Sequence, residues 1–216
     1  MTFPAPAPPW SRWPRQALAY RRPFRDRVAR VGPIVAAPAS LAFLTASLLV
    51  SALWRGRAGE HRLVAVCCAW RAADLPGGSP LPLLGSGLLV QRPVEALWTV
   101  AAVWLVLGPL EATIGSRWLL VLAALGQVAP TVLVDLCWLA GGRSGSGLAG
   151  LDVGTSGVIV TAAAALAVAA SSLAVAAVLA TSLAVDIAVA PGLATAEHLV
   201  AVAVGVALAM VVSRRG

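Results

Sequence analysis

The chain has 216 residues, of which 59% are hydrophobic and only 12% charged. A soluble domain carries about 25% charged residues, so this composition excludes a water-soluble monomer and points to an all-α membrane protein. The net charge is +7 and all 16 basic residues are arginine. They lie in the head, the loops and the tail, between apolar runs. That is how a membrane protein orients itself, and no nucleic-acid partner is expected.

Residues 1–30 hold seven arginines, with five prolines before Arg15. They read as a cytoplasmic head, either disordered or lying on the membrane surface. Arg21-Arg22-Pro23-Phe24 faintly echoes a twin-arginine export signal. The apolar segments that follow argue against a cleaved signal peptide. The first span is expected over 31–54, with Trp54 as an interfacial anchor. A long connection over 55–92 follows, carrying Arg55, Arg57, Arg62, Arg71 and Arg92 and a Pro/Gly-rich stretch from Leu75 to Pro82. Loops of this length in compact proteins are usually functional.

The second span is expected over 93–110 and ends in Gly108-Pro109-Leu110-Glu111. The third, over 117–140, is framed by Trp118 and Trp138. A glycine-rich loop, 141–150, leads to the fourth span over 153–170. Ser171-Ser172 leaves almost no turn, so the fourth and fifth spans form a tight hairpin. Pro191-Gly192 ends the fifth, and the sixth runs from about Ala194 to Val212, before Arg214-Arg215 in the tail. The expected organisation is therefore a head of 1–30, a six-span domain of 31–212 and a tail of 213–216. Six spans put both termini on one side, where ten arginines lie against six on the other. The positive-inside rule then makes both termini cytoplasmic. The chain is expected to be a multi-pass protein of the plasma (inner) membrane, with the lipid bilayer as its surroundings.

Cys67, Cys68 and Cys137 are odd in number and lack metal-type spacing, so they read as small apolar fillers. Gly154-Thr155-Ser156-Gly157 opens the fourth span. Flanking glycines leave a serine Oγ accessible, and a helix N-terminus supplies N–H groups able to stabilise an oxyanion. The competing reading of this motif is small-residue helix packing.

His198 is one of two histidines, and only it falls within a span. Ionisable groups in a bilayer are costly and point to function, and imidazole can relay a proton from a serine hydroxyl. The blander reading is an interfacial histidine at the start of the sixth helix. Both the fourth and sixth spans run from outside to inside, so Ser156 and His198 share one depth. Ala201, Gly205 and Ala209 form a small-residue stripe below His198, and Gly154 and Gly157 are expected to be the matching surface on the fourth span.

In this order the features resemble the rhomboid family, the six-span intramembrane serine proteases, over about residues 31–212. The family has a G-x-S-G serine at the start of the fourth span. Its sixth span has a histidine followed by glycines three and seven residues later, positions held here by Ala201 and Gly205. Gly108-Pro109-Leu110-Glu111 with Gly115-Ser116 resembles the family's glutamate and glycine after the second span. Asp186 fits a common acidic position, and Trp70-Arg71 echoes a first-loop pair. The resemblance implies a six-transmembrane-helix rhomboid fold. It also implies a Ser156–His198 dyad that cleaves transmembrane protein substrates near the outer leaflet, with neither metal nor organic cofactor.

The chain departs from the family where a histidine and an asparagine of the second span help bind the oxyanion, because Glu95 and Thr99 stand there. A buried, protonated Glu95 would donate a hydrogen bond, and Gln91, one turn earlier, is another candidate donor. The departure keeps open a second reading, an inactive rhomboid-like protein that binds the transmembrane helices of client proteins. Asp135 and Asp186 support a third, a small transporter, but the broken helices and inverted repeat of such proteins are not found. A full triad with Asp186 is not expected, because the resemblance implies a serine–histidine dyad and Asp186 precedes His198 by twelve residues across a Pro-Gly turn. Glu111 and Arg117 read as structural, a helix-end acid and its loop cation.

Overall fold

A computed structural model of the chain describes residues 21–55, 67–68, 80–90, 92–141, 154–189 and 191–213. The first twenty residues, Trp70-Arg71, Gln91, most of the 55–92 connection, the 142–150 loop and Arg214-Arg215 lie outside the described residues. What is described is all helical: α1 (Arg21–Ala36), α2 (Pro38–Trp54), α3 (Pro80–Ser86), α4 (Pro93–Ile114), α5 (Ser116–Ala140), α6 (Ser156–Ala169), α7 (Leu173–Val189) and α8 (Leu193–Ser213). Three helices, α4, α5 and α8, are long and apolar enough to cross a membrane, and α2, α6 and α7 are shorter apolar helices. Within the expected head, Arg21 to Arg30 are helical and belong to α1, which breaks at Gly32 (φ 77°).

Local chemistry accounts for the irregular points. Pro109 lacks the N–H that would bond to Leu105, and α4 widens one turn earlier. Val103–Leu107 form a π turn, and the Gly108 N–H reaches the Val103 carbonyl. Gly115, at φ 83°, then reverses the chain in a single residue. Its N–H closes α4 onto the Glu111 carbonyl and its own carbonyl opens α5. Only glycine takes that conformation without strain. Between α6 and α7 the turn is equally short. Ser171 adopts a positive φ of 48°, and the Ser172 hydroxyl accepts the Val175 N–H at the start of α7.

α6 is the axis of the molecule. Val158, Thr161, Ala162, Ala164, Ala165 and Leu166 are all buried, and the main core joins this helix to α2, α4, α5 and α8. Two glycines permit the close approach. A Cβ at Gly126 of α5 would lie 2.7 Å from the Thr161 side chain. A Cβ at Gly205 of α8 would collide with the Thr161 carbonyl oxygen and stand 2.9 Å from Ala164 Cβ. On α8 the stripe Ala201, Gly205, Ala209 is buried throughout, and it faces α6. The matching surface on α6 is Thr161 and Ala164, however, and not the glycine pair. A Cβ at Gly157 would meet the Gly126 carbonyl of α5 at 3.1 Å.

Glu111 is buried, and its partner is not Arg117. Its carboxylate accepts the Ala39 N–H at 3.0 Å, the Ser40 N–H at 2.8 Å, the Ser40 hydroxyl at 2.6 Å and the Ser116 hydroxyl at 2.6 Å. Two of these donors are orphan backbone groups in the first turn of α2. The acid therefore caps another helix's N-terminus, where a negative charge is favoured.

Candidate active site

Ser156 is the first residue of α6, and its side chain is exposed. It lines an open cleft of about 350 Å³ with Val90, Glu95, Trp98, Gly154, Thr155, Ile159 and Val160. Gly154, at φ 147°, takes a backbone conformation that side chains disfavour, and its N–H is tied to the Ser86 carbonyl at 2.9 Å. The Ser86 hydroxyl accepts the Gln127 amide N–H at 2.9 Å and donates to the Leu83 carbonyl. The Val90 N–H donates to Ser51 Oγ. Thus the 80–90 segment is fastened to α2 and α5, and its Ser86 carbonyl in turn holds Gly154, two residues before Ser156. Sequence reasoning missed Ser86, because nothing in a Pro/Gly-rich loop distinguishes one serine from another.

The N-terminus of α6 is left chemically open. The first N–H groups of a helix have no intrahelical acceptor, and the preceding Thr155 does not cap them. Its hydroxyl is instead 3.0 Å from that of Thr99 on α4. The Thr99 hydroxyl donates to the Glu95 carbonyl at 2.9 Å, so Thr155 is the donor between the two threonines. Both threonine hydroxyls are thus engaged with each other and with the Glu95 carbonyl, and Ser156, at the helix N-terminus, lines the cleft with no side-chain cap on its helix.

Glu95 does line the cleft, but the premise of deep burial fails. Its side chain is 43% exposed, and its carboxylate accepts the Arg92 N–H at 3.1 Å and lies 3.7 Å from the Arg92 guanidinium. It acts as the N-terminal cap of α4. Gln91 is outside the described residues.

His198 sits in the second turn of α8, partly buried. Helix rise of about 1.5 Å per residue puts it about 10 Å above Gly205, and Ser156 about 8–12 Å above the residues that Gly205 touches. The packing of α6 on α8 thus brings serine and histidine to one level, although no hydrogen bond joins them. The histidine has another partner, which sequence reasoning set aside. Nδ1 of His198 lies 2.8 Å from Oδ2 of Asp186 on α7. The usable signal was hairpin symmetry. Asp186 and His198 stand at similar distances on either side of Pro191-Gly192, and an antiparallel hairpin brings such positions together.

Asp135, on α5, is buried within the helix packing. Among the described residues no group of three or more His, Cys, Asp or Glu side chains is arranged to hold a metal ion. Comparison with models of protein families, with curated proteins and with solved structures returns no match.

Proposed function

We propose that the protein is a rhomboid-type intramembrane serine protease, its six apolar helices α2, α4, α5, α6, α7 and α8 spanning the inner membrane with both termini cytoplasmic. The observation that supports this reading is an exposed serine at an uncapped helix N-terminus, with a histidine at a similar level of the neighbouring helix α8. In this mechanism Ser156 Oγ attacks the carbonyl carbon of a peptide bond in a transmembrane substrate. His198 accepts the hydroxyl proton and passes it to the leaving amine as the C–N bond breaks. Water then hydrolyses the acyl ester on Ser156, with His198 again as base. The N–H groups of Ser156 and Gly157 stabilise the oxyanion. The short α6, at about 21 Å against a hydrocarbon core of about 30 Å, sets its first residue below the membrane surface. The 350 Å³ cleft supplies the opening through which substrate and water arrive.

A second reading has its own support. Glu95, a carboxylate, and Thr99, whose hydroxyl donates to the Glu95 carbonyl, stand where the family has its histidine and asparagine donors, which fits a rhomboid-like protein that binds client helices and does not cut them. Labelling of the purified protein with a fluorophosphonate, beside Ser156→Ala and His198→Ala, separates the two. The protease reading expects labelling of the parent that both substitutions abolish. An unlabelled parent, under conditions that label an active rhomboid, would leave only the client-binding reading.

A further inference from the structure

The pairing of α7 with α8 carries a further assignment. We propose that Asp186 is a positioning residue that fixes the tautomer and orientation of His198; its catalytic half rests on the protease reading above, its structural half does not. The two side chains are 2.8 Å apart, nitrogen to oxygen. The histidine is 18% exposed and the aspartate 42%, so the pair sits at the rim of the helix packing, open to water on the carboxylate side. An ionised carboxylate only accepts hydrogen bonds. Nδ1 therefore carries the proton, and Nε2, across the ring from Asp186, is left with its lone pair. Nε2 is then the nitrogen that takes the Ser156 proton.

The hydrogen bond also secures orientation. The small residues Ala201, Gly205 and Ala209 on the buried face of α8 carry no side-chain group that could hydrogen-bond the imidazole. A ring without a second contact would rotate among its rotamers. Asp186 supplies that contact from a different helix, and the Pro191-Gly192 turn keeps the two helices in register. In the proton relay the imidazolium formed when Oγ attacks is stabilised by the carboxylate, which itself gains no proton.

The experiment uses full-length protein in detergent, labelled with 15N-histidine. The His61→Gln background leaves His198 as the one histidine. Long-range 1H–15N correlation spectra report which ring nitrogen bears the proton. The parent is expected to show Nδ1 protonated. Asp186→Asn, whose amide can donate to Nδ1, is expected to shift the proton to Nε2, and Asp186→Glu to restore the parent pattern. On the catalytic side, Asp186→Asn is expected to slow fluorophosphonate labelling of Ser156 by about tenfold or more, with Asp186→Glu intermediate. A parent with the proton on Nε2, or an Asp186→Asn spectrum identical to the parent's, overturns the pairing. Equal loss of labelling in both variants without a tautomer change overturns the positioning role. A parent that shows the expected tautomers but no labelling refutes the catalytic role and the protease reading, while the pairing stands.

Discussion

Gly205 offers the most direct test of the α6–α8 packing that sets serine and histidine at one level. In Gly205→Ala the new methyl would collide with the Thr161 carbonyl oxygen and stand 2.9 Å from Ala164 Cβ, where ordinary contact starts at 3.4 Å. The obstacle is largely backbone, so no side chain can rotate away, and α8 must move outward by roughly 0.5–1 Å. Overpacking of this kind costs about 1–3 kcal/mol, and the upper half applies because the backbone does not yield. Alanine regains about 1 kcal/mol of helix propensity over glycine. A net loss of about 1–2 kcal/mol is expected, and a larger loss in Gly205→Leu. The assay is equilibrium unfolding of the purified protein in mixed micelles, followed by circular dichroism. Ala207→Leu, on the exposed side of the same helix, is the control and should stay within about 0.5 kcal/mol. The same shift carries His198 away from Ser156, and misplacement by about 1 Å costs about 100-fold in rate. Stability and labelling should therefore fall together. Gly205→Ala with parental stability and parental labelling would refute the assignment of this stripe to the α6–α8 seam.

Three further outcomes are expected. Glu111→Gln places an amide N–H₂ against donors and breaks charge-assisted bonds to Ser40 or Ser116, each worth about 1.5–3 kcal/mol. A loss of about 3 kcal/mol should appear in the same unfolding assay, and a change below about 0.5 kcal/mol would remove Glu111 as the cap of α2. Glu95→Gln removes a negative charge from the cleft that Ser156 lines. Labelling should be kept or raised a few-fold, whereas a tenfold fall with the fold intact would show that the carboxylate is needed. Burial, and secondarily the neighbouring Cys67, push the Cys68 thiol above its ordinary pKa. The thiolate is the reactive form, so Cys68 should alkylate more slowly than the exposed Cys137 near neutral pH, with the gap closing as pH rises. The sign for stability follows: folding favours the protonated thiol, so its contribution is present below the ordinary thiol pKa and is lost as pH climbs through the raised one. Equal alkylation rates at neutral pH would contradict the burial of Cys68.

The helices were legible because their boundaries are written in residues with strong local physics. Gly115, Pro191-Gly192 and Ser171-Ser172 each interrupt an apolar run, and helices end within a few residues of all three. The stripe Ala201, Gly205, Ala209 was legible because its four-residue spacing lies on one helical face. Its counterpart was not, since Gly157 and Thr161 are both small and only the rotation of α6 decides that Gly157 turns to α5. Pairings of distant residues were the least legible. Glu111 reaches Ala39 and Ser40 across more than 70 positions of sequence, and nothing in a span of alanine, serine and leucine marks the recipient. Asp186 meets His198 only because the Pro191-Gly192 turn folds α8 back on α7, a pairing that twelve residues of sequence separation conceal.

The open N-terminus of α6 follows from a choice made by one side chain. A threonine at the N-cap ordinarily bonds its own helix's free N–H groups. Thr155 gives its hydroxyl to Thr99 instead, which binds α6 to α4 and leaves the donors beside Ser156 facing the cleft. Leaving such groups unpaired is costly in an apolar environment, so the arrangement persists only if water or a bound carbonyl meets them. On the protease reading, a substrate carbonyl takes the place of that water. The Thr99 proton is taken up separately by the Glu95 carbonyl, so backbone N–H groups stand where a Thr99 side-chain donor would. Whether Ser156 is reactive then depends on those N–H groups and on the nitrogen that His198 presents, and the latter is set from α7 by Asp186.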